Sequence, residues 1–366
     1  MCPPLRSIIA AISNGGCRVR LIRVCGLLLL MANVGFAQNS LFQPLAALQK
    51  ELRGKLERIT VHAKSLEGNL EGDSADRDVF VYLPPSYEKE SGRRYPVVYT
   101  LHGFGLHATQ WVGFANVSGL EKGLDAGTTK EMILVSPDAF TLHNGSFYSN
   151  SQTTGDWETF IADELVKYID SHYRTIPDRM SRGLAGHSMG GYGTMRIGMK
   201  HPEVFSSIYA MSTAGITETG EVTPAITAME AIHTKEDAAK LTYTQKSPLA
   251  RAAAWSSNPN SPPLFIDLPV KEGQPRPEIA AKWKANSLLA LLEKYAPNLK
   301  KMKAIEMNVG LQDALVQSNR VMDTALTDAG VGHHFETFEG NHDSQVPMNF
   351  QMKVLPFFSR ELTFQK

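Results

Sequence analysis

The hexapeptide Gly186-His187-Ser188-Met189-Gly190-Gly191 constrains this chain more than any other stretch. Arg182-Gly183-Leu184-Ala185 before it reads as the end of a strand, and the run from Tyr192 to Met199 after it reads as a helix despite its glycines. A serine in a G-x-S-x-G turn between strand and helix is held in a strained backbone conformation. Side chains at Gly186 and Gly190 would collide with the adjoining strand and helix. Such a turn lifts the Ser188 hydroxyl clear of the sheet. It also sets the Met189 N–H at a helix N-terminus, aimed at any negative charge that develops beside the serine.

The rest of the chain supplies the sheet that such a turn needs. Ile59–Ala63 and Asp78–Leu83 read as an antiparallel pair around the turn residues 67–73. Tyr95–Leu101 is apolar and β-branched, as a buried strand should be, and runs into His102-Gly103-Phe104-Gly105. Further strands are predicted at Met132–Val135, 182–187, Phe205–Met211, Met302–Val309 and His333–Phe338, with helices at 38–54, 156–173, 314–329 and 346–362. Strands alternating with helices give an α/β fold with a mainly parallel central sheet and helices on both faces. Ligand sites in such sheets lie beyond the carboxyl ends of the strands, where His102, Asp138 and Ser188 fall.

A serine hydroxyl needs a base to become nucleophilic, and the base needs an acid to orient it. After an elbow serine the chain order is acid, then histidine. Asp313 directly follows a predicted strand and is the chosen acid, with Asp267, Asp323 and Asp328 as rivals. His342, in the Glu339–Asp343 loop after the last strand, is the chosen base over His201, His233, His333 and His334. Asp343 is set aside, since neighbours in a loop seldom point at one partner. The second oxyanion donor should come from the loop after the first long parallel strand, which nominates the Phe104 N–H. His102 is expected to support that loop through hydrogen bonds.

Leu83–Tyr87, Tyr95–Gly105, the helix from Asp156, Ala185–Gly191, Gly310–Leu315 and Gly340–Asp343 together resemble the putative-esterase family of α/β-hydrolases. Feruloyl and acetyl xylan esterases, S-formylglutathione hydrolases, enterochelin esterases and mycolyltransferases are among its members. The resemblance covers roughly residues 55–360. It implies the α/β-hydrolase fold, with Ser188, Asp313 and His342 as catalytic residues and Met189 and Phe104 as oxyanion donors.

Arg18, Arg20 and Arg23 precede an apolar run from Val24 to Val34, and Gly35-Phe36-Ala37 offers small residues at a cleavage point. Residues 1–37 therefore read as a secretory signal peptide, too short in its apolar run to span a membrane as a helix. Residues 38–366 follow as a single domain, exported to the periplasm or the medium. Cleavage removes four arginines and no acidic residue from a chain with 37 basic and 37 acidic groups, and it removes all three cysteines. The mature protein then relies on its core without disulfides. Its charge balance points to no nucleic-acid partner. No H-E-x-x-H or clustered His/Cys spacing points to a metal, and ester hydrolysis by a serine needs no cofactor.

From 213 to 300 the pattern turns irregular, with a proline-rich stretch at 258–263 and a helix predicted over 277–295. This is read as an insertion after the elbow strand, either a cap over the site or helices packed on the sheet. Phe265, Trp283 and Leu288 are then candidates to wall an acyl or aromatic pocket. The function that follows is an exported serine carboxylesterase acting on a small-molecule or carbohydrate ester. Acyl transfer to a sugar, as in the mycolyltransferases, and a non-catalytic carbohydrate-binding protein are the alternatives.

Overall fold

The structure, a computed structural model, describes residues 45–365, so the predicted signal peptide lies outside the described residues. Eight strands form one sheet: β1 Lys55–His62, β2 Asp76–Leu83, β3 Val97–Leu101, β4 Ile133–Pro137, β5 Arg182–His187, β6 Ser207–Met211, β7 Ala304–Gly310 and β8 His334–Phe338. Their order is β1-β2-β4-β3-β5-β6-β7-β8. Strands β3 to β8 are mutually parallel, while β2 runs antiparallel to both β1 and β4. The chain thus has the mainly parallel sheet that the alternation predicted, and the antiparallel first pair as well.

The central strands are buried from end to end, which is why they read as unbroken apolar runs. Successive side chains divide between two cores. Val97, Tyr99, Leu101, Ile133, Val135, Leu184 and Ile208 enter one; Val98, Leu134, Ala185 and Tyr209 enter the other. Helices 157–172 and Met189–Lys200 cover the first face with Leu288–Leu299 and Val316–Asp328. Helices 108–125 and 346–361 cover the second. The alternation of period 2 along each strand therefore decides which helix packs where.

Three local expectations change. The helix 108–125 was not read from the sequence; a wider π turn at Val112–Asn116 interrupts its periodicity. The predicted 277–295 helix is two, Pro277–Ala285 and Leu288–Leu299. Asn286 closes the first, and the Ser287 hydroxyl caps the second by accepting from the Ala290 N–H at 3.3 Å. Asp156 stands at the N-cap of its helix but its side chain makes no capping bond. Asn150 Oδ1 does so instead, accepting from the N–H groups of Glu158 (2.9 Å) and Thr159 (3.2 Å).

The elbow helix Met189–Lys200 is tied down by charge. Glu158, on helix 157–172, is buried and pairs with Arg196 (2.8 Å), Lys200 (2.6 Å) and His201 (3.1 Å). Burial alone would raise the Glu158 pKa, but these three partners hold it at about 2.

Among the described residues no helix is long and apolar enough to cross a membrane.

Candidate active site

Strand β5 delivers the chain to Ser188 with φ 58° and ψ −112°, and the helix Met189–Lys200 begins at the next residue. A Cβ on Gly186 would strike the Gly190 carbonyl, and one on Gly190 would strike the Leu101 carbonyl of β3. Both glycines are therefore required by close backbone approach. The strained serine is anchored through its own main chain: its N–H donates to Met211 O (2.9 Å), and its carbonyl accepts from Ala214 (3.1 Å) and Tyr192 (3.0 Å).

Three strand ends converge on the hydroxyl. Leu101 of β3 lies opposite Gly186, His187 opposite Met211, and Gly310 of β7 opposite Phe338 of β8, so the loops that follow emerge together. His342 Nε2 is 2.9 Å from Ser188 Oγ, and His342 Nδ1 is 2.8 Å from Asp313 Oδ2. A carboxylate only accepts, so Nδ1 carries the proton and Nε2 is free to accept from the serine. Asp313 is 3% exposed, and its other oxygen accepts from the Leu315 N–H at 2.8 Å. Burial pushes its pKa up, but the bonds from His342, Leu315 and the Ser212 hydroxyl outweigh that and hold it below the usual carboxylate value. Burial likewise pushes the His342 pKa down, and the bond to Asp313 with the charges of Asp313 and Asp343 reverses it, leaving His342 a stronger base than free imidazole.

The rivals are elsewhere. Asp267 pairs with Arg276 at 2.9 Å, Asp323 with His333 at 2.9 Å, and His201 with Glu158.

The loop 102–105 passes against Ser188. A Cβ on Gly103 would lie 3.6 Å from Ser188 Cβ and 3.5 Å from His187 Nδ1. His102 holds this loop as expected. Its Nε2 accepts from the Ala139 N–H (2.8 Å), which leaves Nδ1–H to donate to Gly103 O (2.9 Å). The Tyr148 hydroxyl adds a bond to His102 O at 3.0 Å. Burial lowers the His102 pKa and keeps the ring neutral, so its 3.9 Å approach to Asp138 is no ion pair. The N–H groups of Met189 and Phe104 have no hydrogen-bond partner among the described residues.

Two contributors escaped the sequence reading. His187, the variable residue of the turn, is buried, and its Nε2 donates to the His342 carbonyl at 2.8 Å. Burial, with the nearby His342, drives its pKa down to about 3, so it is a neutral donor fixing the His342 main chain. Ser212 supports Asp313 from the end of β6 with φ 44°. Its position just past a carboxyl end of a parallel strand was the available signal. Five of the seven non-glycine residues with positive φ (Asn144, Phe147, Tyr148, Ser188 and Ser212) lie in loops at this end of the sheet. Strain concentrates there, as at functional sites generally.

Trp283 and Leu288 do not wall an open pocket. They are 2% and 0% exposed and belong to the main core, where Trp283 Nε1–H donates to Ser256 Oγ at 2.9 Å. A cleft of about 450 Å³ does open in the 213–300 segment, lined by Met229, His233, Asn258, Asp267, Val270 and Arg276, but it reaches none of Ser188, Asp313 and His342.

One grouping of metal-type donors occurs among the described residues, His187, His342 and Asp343, with ligand atoms within 4.8 Å of one another. Both ring nitrogens of His342 are committed to Ser188 and Asp313, and His187 Nε2 to a carbonyl, so the set fits hydrogen bonding rather than a cation.

The family profile described as "Putative esterase" matches residues 74–354. An esterase of Mycobacterium tuberculosis, Esterase Rv1288, is 35% identical over 134 residues, covering 35% of this chain and 27% of that protein. An endo-1,4-beta-xylanase/feruloyl esterase of Xylanibacter ruminicola is 31% identical over 170 residues, 44% of this chain and 22% of that one. The chain thus matches about a quarter of the length of these curated relatives. A solved ferulic acid esterase superposes with a TM-score of 0.59 at 26% identity, covering 85% of this chain and 99% of its own. An S-formylglutathione hydrolase from Agrobacterium tumefaciens shares the fold, with a TM-score of 0.56 at 17% identity and coverage of 85% and 96%.

Proposed function

The chain belongs to the putative esterase family, and from that premise we propose that it is an exported serine carboxylesterase acting on feruloyl or acetyl esters of carbohydrates. The observation that carries the reading is the unbroken chain Ser188 Oγ–His342–Asp313, with bonds of 2.9 and 2.8 Å. Ser188 Oγ attacks the ester carbonyl as His342 Nε2 takes its proton. The carbonyl oxygen gains negative charge and accepts from the N–H groups of Met189 and Phe104. The tetrahedral intermediate expels the alcohol, which leaves with the proton from Nε2, and the acyl group stays on Ser188. Water then attacks with His342 again as base, and the acid is released. Asp313 remains ionised throughout and stabilises the imidazolium. The names of the ferulic acid esterase and of the xylanase/feruloyl esterase support the substrate class. The basic-then-apolar stretch from Arg18 to Ala37 supports export.

The test is hydrolysis of p-nitrophenyl acetate, methyl ferulate and acetylated xylan, with fluorophosphonate labelling of wild type and Ser188→Ala. Loss of both turnover and label in a folded Ser188→Ala supports the reading. Retained labelling at another serine would sink it. Product analysis with sugar acceptors present separates hydrolysis from acyl transfer.

A further inference from the structure

Tyr243 stands out on the catalytic face. Among the described residues it is the only phenylalanine, tyrosine or tryptophan that is exposed, at 58%. It is not a loose surface residue. Its ring edge lies 3.1 Å from where a Cβ on Gly105 would be, and Gly105 has φ 78° in the loop that carries the Phe104 N–H. Its ring centroid is 6.4 Å from that of Phe104, which is itself 6.3 Å from the buried Phe147 ring. The turn beneath it is fixed. Gln245 Oε1 accepts from the Thr242 N–H and the Thr242 hydroxyl, both at 2.9 Å, and Lys246 N–H donates to Thr242 O at 3.1 Å. Lys246 Nζ reaches Asn144 Oδ1 at 3.4 Å, while the Asn144 carbonyl accepts from the Gly105 N–H at 2.9 Å. The insertion and the 102–105 loop are therefore stapled together, and Helix Ser247–Trp255 starts at once and is largely buried. One side of the Tyr243 ring packs on Phe104 and Gly105; the remainder is offered to solvent at the loop that passes Ser188 through Gly103.

We propose that Tyr243 is a specificity-determining residue that stacks on the planar aromatic acyl group of the ester, with Phe104 completing the wall. This rests on the esterase reading above and narrows it to esters of aromatic acids. A rigid, pre-ordered aromatic gives contact area at little entropic cost. An acetyl group has no planar ring to stack on such a platform, so selectivity for the aromatic acid arises from the turn that carries Tyr243 and not from the elbow.

The experiment compares wild type, Tyr243→Ala and Tyr243→Phe on methyl ferulate, methyl acetate and acetylated xylan. Holding the alcohol as methyl isolates the acyl side. Tyr243→Ala should lower the ratio of kcat/KM for methyl ferulate over methyl acetate by about tenfold, chiefly through KM, and Tyr243→Phe should restore it. A parallel fall on both methyl esters would mean that the ring only positions Phe104, and no change in the ratio would mean that it touches no substrate. A fall confined to acetylated xylan would assign the ring to the sugar. Each of these overturns the proposal. Ferulate binding to Ser188→Ala, with and without Tyr243→Ala, gives a readout free of turnover. Ferulate held through Tyr243 by a protein that hydrolyses nothing would overturn the esterase reading alone. Hydrolysis with ferulate binding indifferent to Tyr243 would overturn this inference alone.

Discussion

Asp313→Asn is the perturbation whose outcome the geometry fixes most tightly. The Asp313 carboxylate receives three donors: His342 Nδ1–H at 2.8 Å, the Leu315 N–H at 2.8 Å and the Ser212 hydroxyl. Asparagine keeps one acceptor oxygen. The Leu315 donor is main chain and cannot turn away, so the amide oxygen takes the Oδ1 position and the NH2 faces His342. His342 Nδ1 must then accept, which moves the ring proton to Nε2. From there it points at Ser188 Oγ, 2.9 Å away, and Nε2 can no longer take the serine proton. The cost is about four orders of magnitude in kcat, by analogy with other triads, or about 5–6 kcal/mol of barrier. The substitution conserves shape, so circular dichroism and Tm should show a folded protein. The assay is steady-state hydrolysis of p-nitrophenyl acetate together with the rate of fluorophosphonate labelling, and both should fall. A folded variant that retains more than about a tenth of wild-type kcat refutes the reasoning. Asp343, whose charge also acts on His342, would then be the first alternative.

Because Asp313 and Asp343 hold the His342 pKa above its ordinary 6.5 against burial, and the proposed mechanism uses the neutral ring as base, kcat/KM should rise with pH along a limb centred above 6.5. Asp343→Asn should move that limb toward lower pH; a limb at or below 6.5 in the wild type contradicts the assignment. His102→Ala removes the bridge between Gly103 and Ala139, and should lower kcat by about tenfold to a hundredfold, short of the loss of a whole oxyanion donor. Unchanged kcat would show that the 102–105 loop keeps its shape without the imidazole. Glu158→Ala leaves Arg196 buried without its carboxylate and should cost about 3–5 kcal/mol in urea unfolding, with the elbow geometry and labelling retained in the folded fraction. A loss under about 1 kcal/mol would show that the pair is relaxed by solvent.

What could be read from the sequence follows from how local each signal is. Ser188 is announced by its neighbours: Gly186 is demanded by the Gly190 backbone four residues on and Gly190 by the Leu101 carbonyl of β3, so the glycines of the motif mark the strained turn although one of their contacts is distant. The convergence of Asp313 and His342 on Ser188 is legible for a different reason. A parallel sheet puts all strand ends on one side, so a residue just past a predicted strand is already near the site. His187 and Ser212 were missed because their roles are long-range hydrogen bonds from residue types that occupy strand ends for many reasons. Nothing around His187 in sequence signals a bond to a carbonyl 155 positions away. The 108–125 helix was missed because a π turn shifts the register of its apolar face midway.

The 213–300 segment was the least legible part, and the structure shows why one label for it fails. Helix Ser247–Trp255 is almost wholly buried, and Trp255 and Trp283 meet edge to face at 5.9 Å. Helix Leu288–Leu299 buries Leu288, Leu291, Leu292 and Leu299 in the core that backs the elbow helix. These parts are scaffold, with the apolar composition of scaffold. Tyr243 and Lys246 belong to the same segment but stand on a turn with exposed threonines and glutamine around them, a composition that reads as plain surface. Only the contacts with Gly105, Phe104 and Asn144 distinguish that turn from any other, and those contacts join residues more than a hundred positions apart. Sequence periodicity reports what a segment packs on, not what it overhangs. Residues on such a turn therefore stay silent until the fold sets them against the 102–105 loop.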